Sequence, residues 1–62
     1  MRELNINEYA MLELLAIQPL TFIPPLHRST AEKLTREGLM RRHGEFWCAT
    51  PSGLVRVGRT IH

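Results

Sequence analysis

Apolar positions between Leu4 and Ile17 recur at the three- and four-residue spacing that is typical of an amphipathic α-helix. Asn5, followed three residues later by Glu8, predicts a capping box at the start of this helix, with Leu4 and Tyr9 as the hydrophobic staple across it. Because the apolar arc is wide, we expect a central helix that is covered from two directions. The predicted inward residues and their apolar neighbours are Leu12, Leu15, Ala16, Ala10, Leu14 and Ile17.

The polar side and the end of this first helix are also marked in the sequence. Glu8 and Glu13 indicate the side that is predicted to face water. Pro19 ends the helix, because proline lacks a backbone N–H and its ring clashes with the preceding turn.

The next segment, residues 18–26, is apolar but contains three prolines, so neither a long helix nor a central strand is expected. We predict a packed loop in which Leu20, Phe22 and Ile23 contact the first helix. Two alternatives remain open, namely a short edge strand from Leu20 to Ile23 and a single helical turn after Pro24.

A second helix has two candidate starts. Pro25 suits a first helical position, and Ser29 with Glu32 forms a second capping box. Gly38 is expected to end the helix in a left-handed conformation, with Leu39 closing the cap. The residues predicted to point inward are Ala31 and Leu34, joined by Leu26 and Thr30 if the helix begins early.

The pattern then changes to that of a β-hairpin. His43 and Gly44 separate residues 39–42 from residues 45–49, and glycine supplies the positive φ that a tight turn needs. Trp47 is predicted to pack on the first helix, so its strand neighbours, Phe46 and Cys48, should face outward.

A short last helix follows the hairpin. Thr50 before Pro51 is an N-cap followed by proline at the first helical position, which predicts a helix from Pro51 to about Arg59. Gly53 and Gly58 weaken this helix. Its apolar residues are Leu54, Val55 and Val57.

Composition limits the class of protein. With 62 residues, the chain is expected to be a single domain over residues 1–62, and its thin core should need good packing or a second copy, so a homodimer is expected. One cysteine, Cys48, and three scattered histidines give neither a disulfide framework nor a metal site. No cofactor and no enzymatic activity are expected, since so small a core hardly holds a catalytic pocket.

Hydropathy and charge narrow the partners. No stretch approaches the roughly 18 consecutive apolar residues of a membrane span, and no signal peptide is visible, so a cytoplasmic setting is expected. Residues 1–31 carry two bases and three acids, whereas residues 32–62 carry six bases and three acids. The second half of the chain is therefore where a polyanion would bind, although its excess of +3 is modest.

Two segments of the chain stand out, residues 34–39, which read Leu-Thr-Arg-Glu-Gly-Leu, and residues 47–53, which read Trp-Cys-Ala-Thr-Pro-Ser-Gly. In this order they resemble the winged-helix DNA-binding domains, the first like the end of a recognition helix and the second like the exit from a wing. The resemblance covers about residues 28–55. It implies an α+β fold, namely a small winged-helix-like domain with helices packed on a two- or three-stranded hairpin wing. The middle helix of that family would have to lie within residues 21–26, where the prolines leave room for one turn, so the form is abbreviated.

This resemblance implies a small, non-enzymatic transcriptional regulator that binds double-stranded DNA, similar to regulators of phages and mobile elements. The second helix would enter the major groove, and the hairpin would meet the DNA backbone or the minor groove. The residues that would carry this binding are Arg28, Ser29, Lys33 and Arg36 on the helix and Arg41, Arg42 and His43 on the hairpin.

Alternative interpretations remain for these residues. Glu32 and Arg36 suit an ordinary ion pair four residues apart on a helix, and arginines on an edge strand also discourage aggregation. Only one of Arg41 and Arg42 can lie on the binding side, because adjacent strand residues point to opposite faces. The alternative function is a protein-interaction module, such as an adaptor or an inhibitor of a host complex. An exposed apolar patch of Phe22, Ile23, Met40 and Phe46 would favour that alternative.

Overall fold

The computed structural model describes residues 3–58. In chain order these residues form helix α1 (Ile6–Ile17), a 3₁₀ turn (Pro25–His27), helix α2 (Arg28–Arg36), strands β1 (Met40–His43) and β2 (Phe46–Ala49), and helix α3 (Pro51–Arg56). The two strands pair antiparallel, from Met40 opposite Ala49 to His43 opposite Phe46. The fold class is therefore mixed α+β.

The predicted capping box at the start of α1 is confirmed. The backbone N–H of Glu8 donates to Asn5 Oδ1 at 2.8 Å, and the N–H of Asn5 donates to Glu8 Oε1 at 2.9 Å. The prediction that Glu8 faces water is wrong, because its side chain is only 1% exposed and lies 3.8 Å from Lys33 Nζ on α2. A carboxylate that accepts a capping bond and also contacts a cation can be buried at a tolerable cost. Glu13 is half-buried.

Helix α1 is covered on one face. Met11, Leu12 and Leu15 are buried, whereas Leu14 and Ile17 are 54% and 72% exposed. Helices α2 and α3 and strand β2 all contact α1, and within residues 3–58 the side with Leu14 and Ile17 stays uncovered. The helix ends at Ile17, and Gln18 is its C-cap. Pro19 follows directly, so the end of the helix lies where the proline predicts it.

The proline-rich segment combines the alternatives that the sequence left open. Leu20 forms a single β-bridge with Trp47, with N–H to O distances of 3.0 and 2.7 Å, and the 3₁₀ turn follows Pro24. Ile23 is buried, as predicted, but Phe22 is 64% exposed and does not pack on α1 as predicted. In this irregular segment Ile23 therefore lies on the inner side and Phe22 on the outer side.

Helix α2 begins at Arg28, after the 3₁₀ turn that Pro25 starts. The predicted capping box at Ser29 does not form, because Ser29 lies within the helix and no side chain caps its start. Ala31 and Leu34 are buried as predicted. Leu26 is 83% exposed, since the 3₁₀ turn places it off the inner face of the helix.

Gly38 ends α2 as predicted, in a Schellman motif. Its φ is +76°, its N–H donates to Thr35 O at 3.1 Å, and the N–H of Leu39 donates to Leu34 O at 2.9 Å. These two bonds satisfy carbonyl groups that the end of any helix leaves without partners. The chain then enters β1 with Leu39 and Met40 buried.

The hairpin turn lies one residue later than predicted. His43 belongs to β1 and pairs with Phe46, so the two turn residues are Gly44 and Glu45. Gly44 has a φ of +62° and Glu45 does not have a positive φ, which is the pattern of a type II′ turn with glycine first. The prediction that a glycine with positive φ forms the turn is therefore confirmed, whereas the predicted position of the turn is wrong by one residue.

Helix α3 begins as predicted but is shorter. The side chain of Thr50 accepts the N–H of Gly53 at 3.1 Å, and the helix ends at Arg56. The predicted end at Arg59 lies outside the described residues. No helix formed by residues 3–58 is long and apolar enough to cross a membrane.

The core lies between α1, α2 and the hairpin. Its buried side chains are Met11, Leu12, Leu15, Ile23, Ala31, Leu34, Leu39, Met40 and Val57, with Leu4, Leu20, Trp47 and Ala49 packed against them.

Candidate nucleic-acid interface

The residues predicted to bind DNA lie on one exposed helix and one exposed hairpin. We call these residues the helix–hairpin set: Arg28, Ser29, Lys33 and Arg36 on α2, and Arg41, Arg42 and His43 on β1. All of them are exposed, because α2 turns Ala31 and Leu34 inward and β1 lies at the surface. Because this side of α2 faces the core, the opposite, basic side of the helix is in contact with water.

Lys33 occupies a different position from the other bases of α2. Its Nζ lies 3.8 Å from Glu8 Oε2, and its side chain is 49% exposed. The contact ties α2 to the start of α1, and solvent around the half-exposed Lys33 weakens the attraction between the two charges. Among the bases of α2, Lys33 is therefore the one held against the body of the domain.

The arginines are held less firmly. The guanidinium groups of Arg28, Arg36 and Arg41 have no ion pair or hydrogen bond to any other side chain or backbone group within residues 3–58. The ion pair of Glu32 with Arg36, which the spacing allows, is likewise not formed in this part of the chain. An unpaired surface arginine keeps all five donors available to a ligand.

Arg42 is positioned by the hairpin itself. Its guanidinium carbon lies 5.4 Å from the centre of the Trp47 ring, and its Nε donates to Gly44 O at 3.2 Å. Arg42 and Trp47 are cross-strand partners, whereas Arg41 is paired with Cys48 one position along. Adjacent strand residues point to opposite faces, so Arg41 and Arg42 lie on opposite sides of the hairpin, as predicted.

Arg28 and Arg42 meet in one cleft between α2 and the hairpin. The cleft has a volume of about 140 Å³, and we call it the Arg28–Arg42 cleft. Glu32 also lines it, so two arginines and one glutamate are lining residues of the same cleft. The remaining lining residues are Thr21, Phe22, Ile23, Ala31 and Trp47.

The sequence did not assign Phe22 and Trp47 to the site. Both residues were predicted to pack on the first helix, and neither was predicted to belong to the site. Both line the cleft. The pairing of Arg42 with Trp47 could have been found from the hairpin register, but only with the turn placed one residue later. The remaining predicted residues, Ser29, Lys33, Arg36, Arg41 and His43, do not line this cleft.

The exit of the hairpin fixes the orientation of α2. Thr50 Oγ1 donates to Gly38 O at 2.6 Å, and the backbone N–H of Thr50 donates to Leu39 O at 3.1 Å. The hydroxyl of Thr50 also accepts the capping bond from Gly53. One threonine therefore joins the end of α2, the hairpin and the start of α3. Its bonds connect the two segments, residues 34–39 and residues 47–53, that carry the resemblance described above.

The expected apolar patch does not form as a unit. Ile23 and Met40 are 5% and 1% exposed, whereas Phe46 is 41% exposed, as predicted for an outward residue. Cys48 is half-buried and free. Within residues 3–58 there is no cluster of three or more His, Cys, Asp or Glu side chains that could hold a metal ion.

Comparison with family models, with curated proteins and with solved structures finds no match to this chain. The fold and the site define its class as a mixed α+β domain that carries exposed basic residues on one helix and one hairpin.

Proposed function

We propose that this chain is a small, non-enzymatic, winged-helix-like transcriptional regulator that binds double-stranded DNA. In this proposal α2 enters the major groove, and the β1–β2 hairpin acts as the wing that contacts the DNA backbone. The observation that carries the proposal is the convergence of Arg28 and Arg42 in one cleft at the junction of α2 and the hairpin.

The charge of this cleft supports an anionic partner. Two arginines and one glutamate line it, and the donors of Arg28 are unpaired within residues 3–58. A phosphate in the cleft would accept charge-assisted hydrogen bonds from each guanidinium group that reaches it. The DNA backbone presents such oxygens at regular spacing, so a junction of this kind suits a duplex that touches both α2 and the hairpin.

The unpaired Arg36 supports a role for the outer face of α2 in reading bases. Its guanidinium has no partner within residues 3–58 and lies in the last turn of an exposed helix. Arginine recognises guanine through two parallel hydrogen bonds in the major groove. Ser29, on the same exposed helix, is suited to a phosphate or a base edge.

A salt titration of binding to a labelled duplex tests the proposal. We expect the logarithm of the association constant to fall linearly with the logarithm of salt concentration, and Arg28→Ala and Arg42→Ala each to reduce that slope by about one. Arg56→Ala is the matched control, since it removes the same charge from α3 and does not line the cleft. Affinity without salt dependence, or equal loss in the control, would overturn the proposal.

A protein-interaction module on the same scaffold is the second candidate. The observation that favours it is Phe22, which is 64% exposed at the rim of the Arg28–Arg42 cleft, beside Glu32. Exposed aromatic side chains beside charges are typical of protein interfaces. Under this alternative, Phe22→Ala would abolish function while Arg36→Ala would leave it intact, which is the opposite of the result expected for DNA.

A further inference from the structure

One buried glutamate of α1 contacts the helix that the proposal places in the major groove. The side chain of Glu8 is 1% exposed, and its Oε2 lies 3.8 Å from Nζ of Lys33 on α2. Its other carboxylate oxygen, Oε1, accepts the backbone N–H of Asn5 at 2.9 Å. The carboxylate is therefore held in place by the capping box of α1 while it contacts a base of α2.

Lys33 lies between two residues of α2 that the proposal assigns to DNA. Ser29 stands four positions before it and Arg36 three positions after it, so the three residues share one side of the helix. The Lys33 side chain is 49% exposed, and its ammonium group ends a flexible four-carbon stem. A duplex that contacts Ser29 and Arg36 therefore brings its phosphates close to Lys33.

The contact with Glu8 changes what Lys33 offers to a phosphate. An ammonium beside a carboxylate forms a unit without net charge, whereas a free ammonium that neutralises a phosphate releases about one counterion from the DNA. Movement of Lys33 to a phosphate would also take its positive charge away from a carboxylate to which water has little access. Both effects reduce the net free energy that Lys33 contributes to DNA binding.

We propose that Glu8 is a positioning residue that holds Lys33 and thereby limits the affinity of α2 for the DNA backbone. The inference rests on the proposed DNA binding, and it gives a role in that binding to a residue of α1 that does not itself touch DNA. Arg28 and Arg36 have no such partner within residues 3–58, so among the bases of α2 in this part of the chain the restraint acts on Lys33.

Glu8→Gln tests this role, because glutamine also completes a capping box and the substitution removes only the charge. In salt titrations on a labelled duplex we expect a log–log slope steeper by about one than that of the unaltered chain, and an affinity about three- to tenfold higher at low salt. The gain should be equal for duplexes of different sequence, as is typical of a phosphate contact. A merely structural role of Glu8 would give equal or weaker binding in this variant, and that result would reject the proposal.

A double-mutant cycle isolates the part of the effect that acts through Lys33. Lys33→Gln, at a half-exposed position, should reduce the salt slope by clearly less than one, and Glu8→Gln added to it should give no gain. A gain that persists without Lys33 would be a general effect of net charge and would contradict the proposal. A loss of a full unit of slope from Lys33→Gln alone would show that Lys33 already binds phosphate despite Glu8, and this arm does not depend on the folding of Glu8→Gln.

Failure of this inference is distinct from failure of the proposed function. If the unaltered chain binds DNA with the expected salt dependence and Glu8→Gln gives no gain, only the role of Glu8 is rejected. If the unaltered chain shows no salt-dependent binding, the proposed function is rejected and the role of Glu8 with it. Circular dichroism of each variant establishes before the titration that the variant is folded.

Discussion

The carbonyl oxygen of Leu39, at the entrance to the hairpin, lies against the α-carbon of Gly53 in α3. A Cβ on residue 53 would overlap that oxygen and would also approach Leu12 Cδ2 to 3.2 Å. The same oxygen accepts the N–H of Thr50, so the position of Leu39 is set by a hydrogen bond and cannot yield easily. Gly53 is therefore required by close approach of two backbones, and its weak helix propensity is a secondary matter.

Gly53→Ala is accordingly expected to destabilise the fold by about 2–3 kcal/mol, since overpacking forces the backbone to shift. For a domain of this size that loss lowers the melting temperature by roughly 8–24 °C. Thermal unfolding followed by circular dichroism measures it. Ser52→Ala, at an exposed position of the same helix, is the control and should change stability by less than about 0.5 kcal/mol.

Glu8 and Lys33 are expected to contribute unequally to stability. Glu8→Ala removes a buried carboxylate that accepts the Asn5 N–H, and it should cost about 1–3 kcal/mol. Lys33→Ala removes the half-exposed partner and should cost no more than about 1 kcal/mol. Chemical denaturation of the two variants and of the double variant gives their coupling energy. Equal losses from the two single variants would contradict the burial of Glu8.

Arg36 and Lys33 should differ in DNA binding as well. Lys33 is held by Glu8, whereas Arg36 has no partner within residues 3–58. If the proposed DNA interface is right, Arg36→Ala lowers affinity by about 1–3 kcal/mol and relaxes preference at one base pair. Lys33→Ala has the smaller effect on affinity. Binding to a panel of duplexes checks this order, and a larger loss from Lys33→Ala would reject it.

Thr50 should be sensitive to loss of its hydroxyl and tolerant of loss of its methyl group. Thr50→Val removes both the capping acceptor for Gly53 and the donor to Gly38, and should cost about 1–2 kcal/mol or more. Thr50→Ser keeps the hydroxyl and should recover most of that stability. Urea unfolding distinguishes the two. A serine variant as unstable as the valine variant would mean that the methyl group, and not the hydrogen bonds, matters.

Local features of the fold were predictable from sequence. The Asn5–Glu8 capping box, the Gly38 cap and the Thr50 N-cap each depend on hydrogen bonds that span three to five residues. Such bonds follow from residue type and spacing alone. The hairpin was also predictable, with an error of one residue because glycine is accepted at either central position of a primed turn.

Features that depend on distant residues were not predictable in the same way. The burial of Glu8 requires Lys33, which is 25 positions away along the chain. The Arg28–Arg42 cleft requires the angle between α2 and the hairpin, which long-range bonds from Thr50 help to set. Helical periodicity likewise identified Leu14 and Ile17 as apolar without indicating which of two apolar faces the domain covers. In each case the local sequence pattern is compatible with more than one arrangement, and contacts between residues far apart in the chain determine which one forms.

The position of Arg42 over the Trp47 ring makes the fluorescence of this tryptophan sensitive to the position of Arg42. The chain contains one tryptophan, and its indole ring lies at the Arg28–Arg42 cleft beneath a positive charge. An indole emits at a wavelength that depends on the electric field and the water around it. If the proposed DNA binding draws Arg42 away from the ring, both would change, and that binding could then be followed by intrinsic fluorescence without attaching a label.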